Sequence, residues 1–114
     1  MPIRLEKDWL PFTRATVAGM PGQLGVFELS DENQQVVYIG CAGAASLFGL
    51  KSAAEAMLGR ANFVRFEVNT AYRTRHRELL MVFHADHGSY PTLNSDLETF
   101  GLGVLSPQGS AGRV

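Results

Sequence analysis

Five arginines, Arg60, Arg65, Arg73, Arg75 and Arg77, stand against one acid, Glu67, within eighteen residues, and they are half of the ten cationic side chains in the chain. Guanidinium forks match phosphate oxygens in two-point contacts, so this stripe suits nucleic-acid phosphates; a solvated strand and helix face gives the same pattern. Glu78 follows three residues after Arg75, the spacing of a helical ion pair. His84 and His87, three apart, could share a metal, with Asp86 too far around the helix to join. The dipole alone favours histidines at a helix C-terminus, and that reading is preferred. His76 lies among Arg73, Arg75 and Arg77 and is assigned to the basic face, where those neighbours disfavour its charge. Cys41 has no base beside it in sequence and reads as a small buried filler rather than a nucleophile.

The elements that must position these groups follow from pattern and punctuation. A helix is expected around Pro11 to Ala18, closed by the turn-forming run Gly19-Met20-Pro21-Gly22. Residues 24–29 and 36–40 read as two strands of a hairpin joined by the polar stretch 30–35. Ser46 is placed as the cap of a helix reaching about Leu58, ended by Gly59. The alternating segment 62–68 predicts a third strand. Thr70 is placed as the cap of a longer helix over 71–87, ended by Gly88, and Pro91-Thr92-Leu93-Asn94 predicts a turn. The expected fold class is α+β: a small mixed three-stranded sheet flanked by helices, backed by them on one side.

A chain of 114 residues with 46% apolar content is sufficient for one continuous core. A single domain is expected over 1–94, its core over about 20–94, with a Gly/Ser-rich, partly disordered tail over 95–114 whose final dozen residues are mobile. A net charge of −1 and pI near 6.3 argue against a wholly basic surface. The lone Cys41 excludes an internal disulfide, and no run of apolar residues reaches membrane-spanning or signal length. A soluble, cytoplasmic protein is expected.

The ordered features Gly25-Val26-Phe27, ten residues, Tyr38-Ile39-Gly40, a helix, a strand, a helix bearing Glu78 and Pro91-Thr92-Leu93-Asn94 resemble the GIY-YIG endonuclease family over roughly residues 20–94. The resemblance implies metal-dependent phosphodiester hydrolysis of nucleic acid, DNA above all. Glu78 would hold Mg2+ or Mn2+, Tyr38 would activate water, and Lys51 and Asn94 would complete the catalytic set. The arginines from Arg60 to Arg77 would bind the nucleic acid. A hard divalent ion on a carboxylate lowers the pKa of its bound water and neutralises charge building on phosphate oxygens.

Two positions depart from the family's pattern. Phe27 stands where the first tripeptide has tyrosine, which removes a hydroxyl. Lys51 is the nearest match to an arginine, a point charge without the fork, and Arg60 is an alternative cation. The other reading is therefore a catalytically degenerate module of the same fold that binds nucleic acid or a protein partner without cleavage.

Overall fold

The computed structural model describes residues 4–43 and 48–94. Four strands, β1 (Leu10–Pro11), β2 (Gly25–Ser30), β3 (Val36–Ala42) and β4 (Phe63–Val68), form one sheet in the order β1-β4-β2-β3. Every pairing is antiparallel. The expected mixed three-stranded sheet is thus corrected on both counts, within an α+β architecture that holds. The helix α2 (Gly49–Glu55) after β3 carries the chain back, so β4 runs in the direction of β3. Because β4 docks on the far side of β2, the two like-directed strands never touch. The added strand, β1, is too short to read from sequence, and Pro11, expected to begin a helix, lies instead at this sheet edge, where a missing donor does no harm.

Helices cover both faces of the sheet, not one as expected. Alternation along β2 sends Phe27 and Leu29 one way and Val26 and Glu28 the other. The first face packs Phe27, Leu29, Tyr38 and Val64 against Val17 of α1 (Arg14–Ala18) and against Leu50 and Ala54 of α2. The second packs Val26 and Ile39 against Leu79 and Leu80 of α3 (Tyr72–His87) and against Leu5 of the N-terminal segment. All six residues of β2 are buried in consequence. Leu5, Phe12 and Val17 belong to the core, which therefore begins before residue 20.

Several local expectations are met with different capping chemistry. In the hairpin turn, the Asp31 carboxylate accepts from the amides of Asn33 and Gln35, both at 2.9 Å. The first turn of α2 is satisfied by main-chain carbonyls: Leu50 N–H donates to Gln23 and Lys51 N–H to Pro21. Gly49, at φ +57, sits too close to Gln23 to carry a side chain. Before α3 it is Asn69, not Thr70, that supplies the side-chain acceptor, taking the Ala71 amide at 2.8 Å. Gly88 closes α3 in the left-handed region, as expected. The Ser46 cap and the tail over 95–114 lie outside the described residues.

Strand β3 is a sheet edge, and its centre is closed by side chains. Asn94, in the 3-10 turn Thr92–Asn94, accepts from Ile39 N–H at 2.8 Å and donates to Ile39 C=O at 2.9 Å. His76 reaches the same carbonyl through Nε2 at 3.0 Å, and since a carbonyl only accepts, that nitrogen carries the proton. Asn94→Ala leaves the buried Ile39 amide without a partner and opens a void. A loss of about 2–4 kcal/mol is expected, read as a lower urea midpoint at unchanged slope.

Candidate functional site

The residues singled out from the sequence fall into two groups separated by the sheet. On the α1/α2 face, Phe27 and Tyr38 pack with ring centroids 5.8 Å apart. A side chain at Gly40 would lie 2.6 Å from both rings, so glycine is what lets the aromatic pair close over the strand. Gly25 is equally constrained, since a Cβ there would meet the Glu67 carbonyl oxygen at 2.2 Å. Val26 and Ile39 point the other way, into the α3 face. Tyr38 is buried among apolar neighbours, and Lys51 lies in the first turn of α2, half-buried.

On the α3 face a layer of charge crosses the sheet. Glu28 on β2 and Arg65 on β4 are directly opposite in register, with Arg65 Nε and Nη2 both 2.8 Å from Glu28 Oε1. Burial pushes the Glu28 carboxyl above its ordinary value, opposed by Arg65. Arg65 also lies 4.1 Å over the Trp9 ring. Next to this pair, Arg75 Nε and Nη2 donate to Glu67 at 3.0 and 3.3 Å, and Arg75 Nη1 donates to Glu78 at 2.6 Å. Burial alone would weaken the Arg75 charge, but the bonds to Glu67 and Glu78 hold its pKa above the ordinary value. Burial likewise opposes the Glu67 charge, and Asn69 and Arg75 outweigh it, so this carboxyl is held below its ordinary value.

The arginine run is therefore not a continuous stripe. Arg65 and Arg75 are spent on internal carboxylates, and only Arg75 of the five is fully buried. Arg60 precedes β4 at one end of the sheet, whereas Arg73 and Arg77 follow it at the other, a separation of about 20 Å along a six-residue strand. Arg73 hydrogen-bonds Tyr72, and its guanidinium lies 5.8 Å from that ring. His76, expected on the basic face, is instead buried at Ile39, because the helix face it occupies is the one turned to the sheet.

Tyr38, Lys51, Glu78 and Asn94 do not converge. Glu78 is on the exposed side of α3, bonded to Arg75, and the sheet lies between it and Tyr38. Asn94 has both ends of its amide committed to Ile39. Among the described residues no three His, Cys, Asp or Glu side chains cluster as metal ligands. With Arg75 on its carboxylate and Arg77 beside it, Glu78 does not fit a divalent-cation site. His84 and His87 do not face a shared point: His84 stacks on Tyr90 and His87 on Phe83, at 4.7 and 4.2 Å, while Asp86 pairs with Arg4.

A family model matches residues 1–87. The chain belongs to the DUF7508 family, a domain of unknown function. No curated protein matches it. The DUF7508 match takes in all four strands and the three helices but not Asn94. No helix among the described residues is long and apolar enough to cross a membrane.

Sequence reasoning missed Glu28 as a buried carboxylate. The available signal was an acid inside the apolar run Val26-Phe27-Glu28-Leu29, since a charge on a covered strand demands a partner. A carboxyl with a lowered folded pKa, such as Glu67, stabilises the fold above its unfolded pKa and ceases to as pH falls through the folded one. Glu28, with its raised value, has the opposite dependence: its contribution is present in acid and lost as pH rises. The destabilisation by Glu67→Gln, about 1–2 kcal/mol at neutral pH, should thus shrink progressively as pH falls below the ordinary carboxylate range, measured by urea unfolding. Glu78→Ala, removing only an exposed arm of Arg75, should change stability by no more than about 0.5 kcal/mol.

Proposed function

We propose that this domain is a GIY-YIG-like module that binds a protein partner and does not cleave nucleic acid. The observation that carries this reading is the separation of Tyr38 and Lys51 from Glu78 by the sheet. Phosphodiester hydrolysis of the kind the resemblance implies needs water activation, a cation and a metal carboxylate around one phosphorus, with reacting atoms about 3 Å apart. Glu78 is in addition neutralised by Arg75. The fold likeness itself is supported by the adjacent antiparallel strands bearing Gly25-Val26-Phe27 and Tyr38-Ile39-Gly40, and by the closure of Asn94 on the second.

A protein partner is favoured over nucleic acid by what α3 exposes. Arg73, Arg77 and Met81 recur every four residues along its outward side, and Met81 is 58% exposed. An open groove beside them is lined by Thr74, Arg77, Glu78, Met81 and Val82. Arginine and methionine flanking apolar surface are typical of interface centres, whereas a nucleic-acid track needs cations spaced along a phosphate backbone. The partner surface that fits combines acidic and apolar side chains.

With branched, nicked or linear DNA and Mg2+ or Mn2+ at low salt, neither the wild-type domain nor Glu78→Ala should cut. Cleavage by the wild type that disappears in Glu78→Ala would overturn the proposal in favour of the hydrolase. Residual DNA binding through the Arg60–Arg77 run should involve at most Arg60, Arg73 and Arg77, so replacing all three by alanine should flatten the log–log salt slope by no more than about 3. A photocrosslinker at Met81 should yield a discrete protein adduct that the same group at Arg60 does not. A larger flattening with no adduct would point to nucleic acid instead.

A further inference from the structure

Asn94 and His76 share the Ile39 carbonyl, so the chain leaves Asn94 beside the middle of α3. At about 100° per residue, Arg73, Arg77 and Met81 follow one another about 60°, 100° and 140° round the helix from His76. Arg75 lies about 100° in the opposite sense, where it meets Glu67 on β4. Strand β3, to which Asn94 is bonded, is on the other side of β2 from β4. The way round α3 from Asn94 therefore comes to Arg73 first. Cys41, also on β3, is close enough to Arg73 to act on its charge, which places that arginine on the same side.

The eight residues that follow, Ser95-Asp96-Leu97-Glu98-Thr99-Phe100-Gly101-Leu102, hold two acids and no cation, with the apolar Phe100 and Leu102 after the acids. Along α3 the order is the same: two exposed arginines, then Met81 and its apolar groove. The spacings agree as well. From the His76 side to Arg73 is about 7 Å, combining the turn with the rise, and two extended residues span about 6.6 Å. Arg73, Arg77 and Met81 are then separated by four helical residues each, about 6 Å, against about 6.6 Å between Asp96, Glu98 and Phe100 in extended chain. Glu78, the acid that lines the groove, is answered by Arg75 and does not oppose this charge pairing.

We propose that residues 95–102 dock on the outward side of α3, with Asp96 at Arg73, Glu98 at Arg77 and Phe100 in the groove at Met81, and so compete in cis for the surface assigned above to a protein partner. This regulation rests on that reading of the surface. Exposed ion pairs are individually weak, and the tether is what makes them sufficient. A segment held by a short linker acts at an effective concentration on the order of millimolar, enough for modest contacts to suppress a partner present at micromolar levels.

The test is photocrosslinking of the whole protein with a benzophenone side chain at Met81, with the same group at Arg60 as comparator. Irradiated alone, the Met81 form should give an adduct at the mass of one chain, mapped by proteolysis and mass spectrometry to 95–102, and the Arg60 form should not. Asp96→Lys with Glu98→Lys should lower its yield roughly tenfold, as should Arg73→Glu with Arg77→Glu, and combining all four should restore it. These side chains lie outside the core, so loss of fold does not mimic loss of docking. In a cell extract, Phe100→Ala should raise the yield of the partner adduct roughly tenfold over the unaltered segment. No adduct to 95–102, an adduct at the mass of two chains, or a yield indifferent to the charge swap would overturn the docking. A partner adduct of equal yield with and without Phe100 would overturn the competition and leave the partner surface standing; an internal adduct with no partner adduct in either form would support the docking and remove the partner.

Discussion

The backbone of Ile39 is the point on which the architecture turns. It lies mid-way along an edge strand, where unpaired N–H and C=O groups would otherwise face solvent or another chain. Asn94 satisfies both groups at once, as a passing strand would, and His76 adds a second donor to the carbonyl. Two elements far apart in sequence are thereby tied to one residue. For α3 the consequence is rotational. With His76 directed at the sheet edge, a turn of about 100° per residue brings Leu79, Leu80 and Phe83 onto Val26 and Ile39 and carries Glu78 about 200° away. Closing the edge and directing Glu78 outward are the same constraint.

The two faces of β2 solve different problems. The α1/α2 face is apolar, and its aromatic pair fits only because Gly40 has no side chain. The α3 face mixes Val26 and Ile39 with the charges of Glu28, Arg65, Glu67 and Arg75. Ion pairs of this kind add little net stability, since desolvation offsets most of the attraction. Their effect here is on register. Glu28 opposes Arg65 across the β2–β4 ladder, and a slip of one residue would send Arg65 into the apolar face and strand Glu28 in a covered layer without its counter-charge.

Much of the local structure was legible because it depends on neighbours in sequence: the hairpin turn over 30–35, the end of α3 at Gly88, and the strand character of β2. What the sequence left open depends on partners at a distance. Periodicity identifies the buried face of a helix but not the surface it covers, so helices on both sides of the sheet, Leu5 in the core and His76 at Ile39 were all out of reach. The arginine run shows the same limit. Its spacing reads as a stripe, yet Arg65 is answered by an acid 37 residues earlier in the chain, and Arg75 by Glu67 on a different element.

The candidate residues were legible in type, but their distribution over the two faces of the sheet was not, for a reason found in the motif itself. Gly25 and Gly40 are set by close backbone and ring contacts, Ile39 by its clamp, and Asn94 by its two bonds to that strand. Each is required for the hairpin, the helices and the closing turn to pack as they do, whether or not any phosphate is ever bound. Catalysis makes a different demand: a hydroxyl, a cation and an unpaired carboxylate on one side of the sheet. None of the packing contacts supplies that. A chain can therefore keep the glycines and apolar residues that pack the hairpin while Phe27 carries no hydroxyl and Glu78 turns to Arg75. A likeness carried by packing residues is evidence about the fold, and the chemistry has to be argued from the side chains that packing leaves unconstrained.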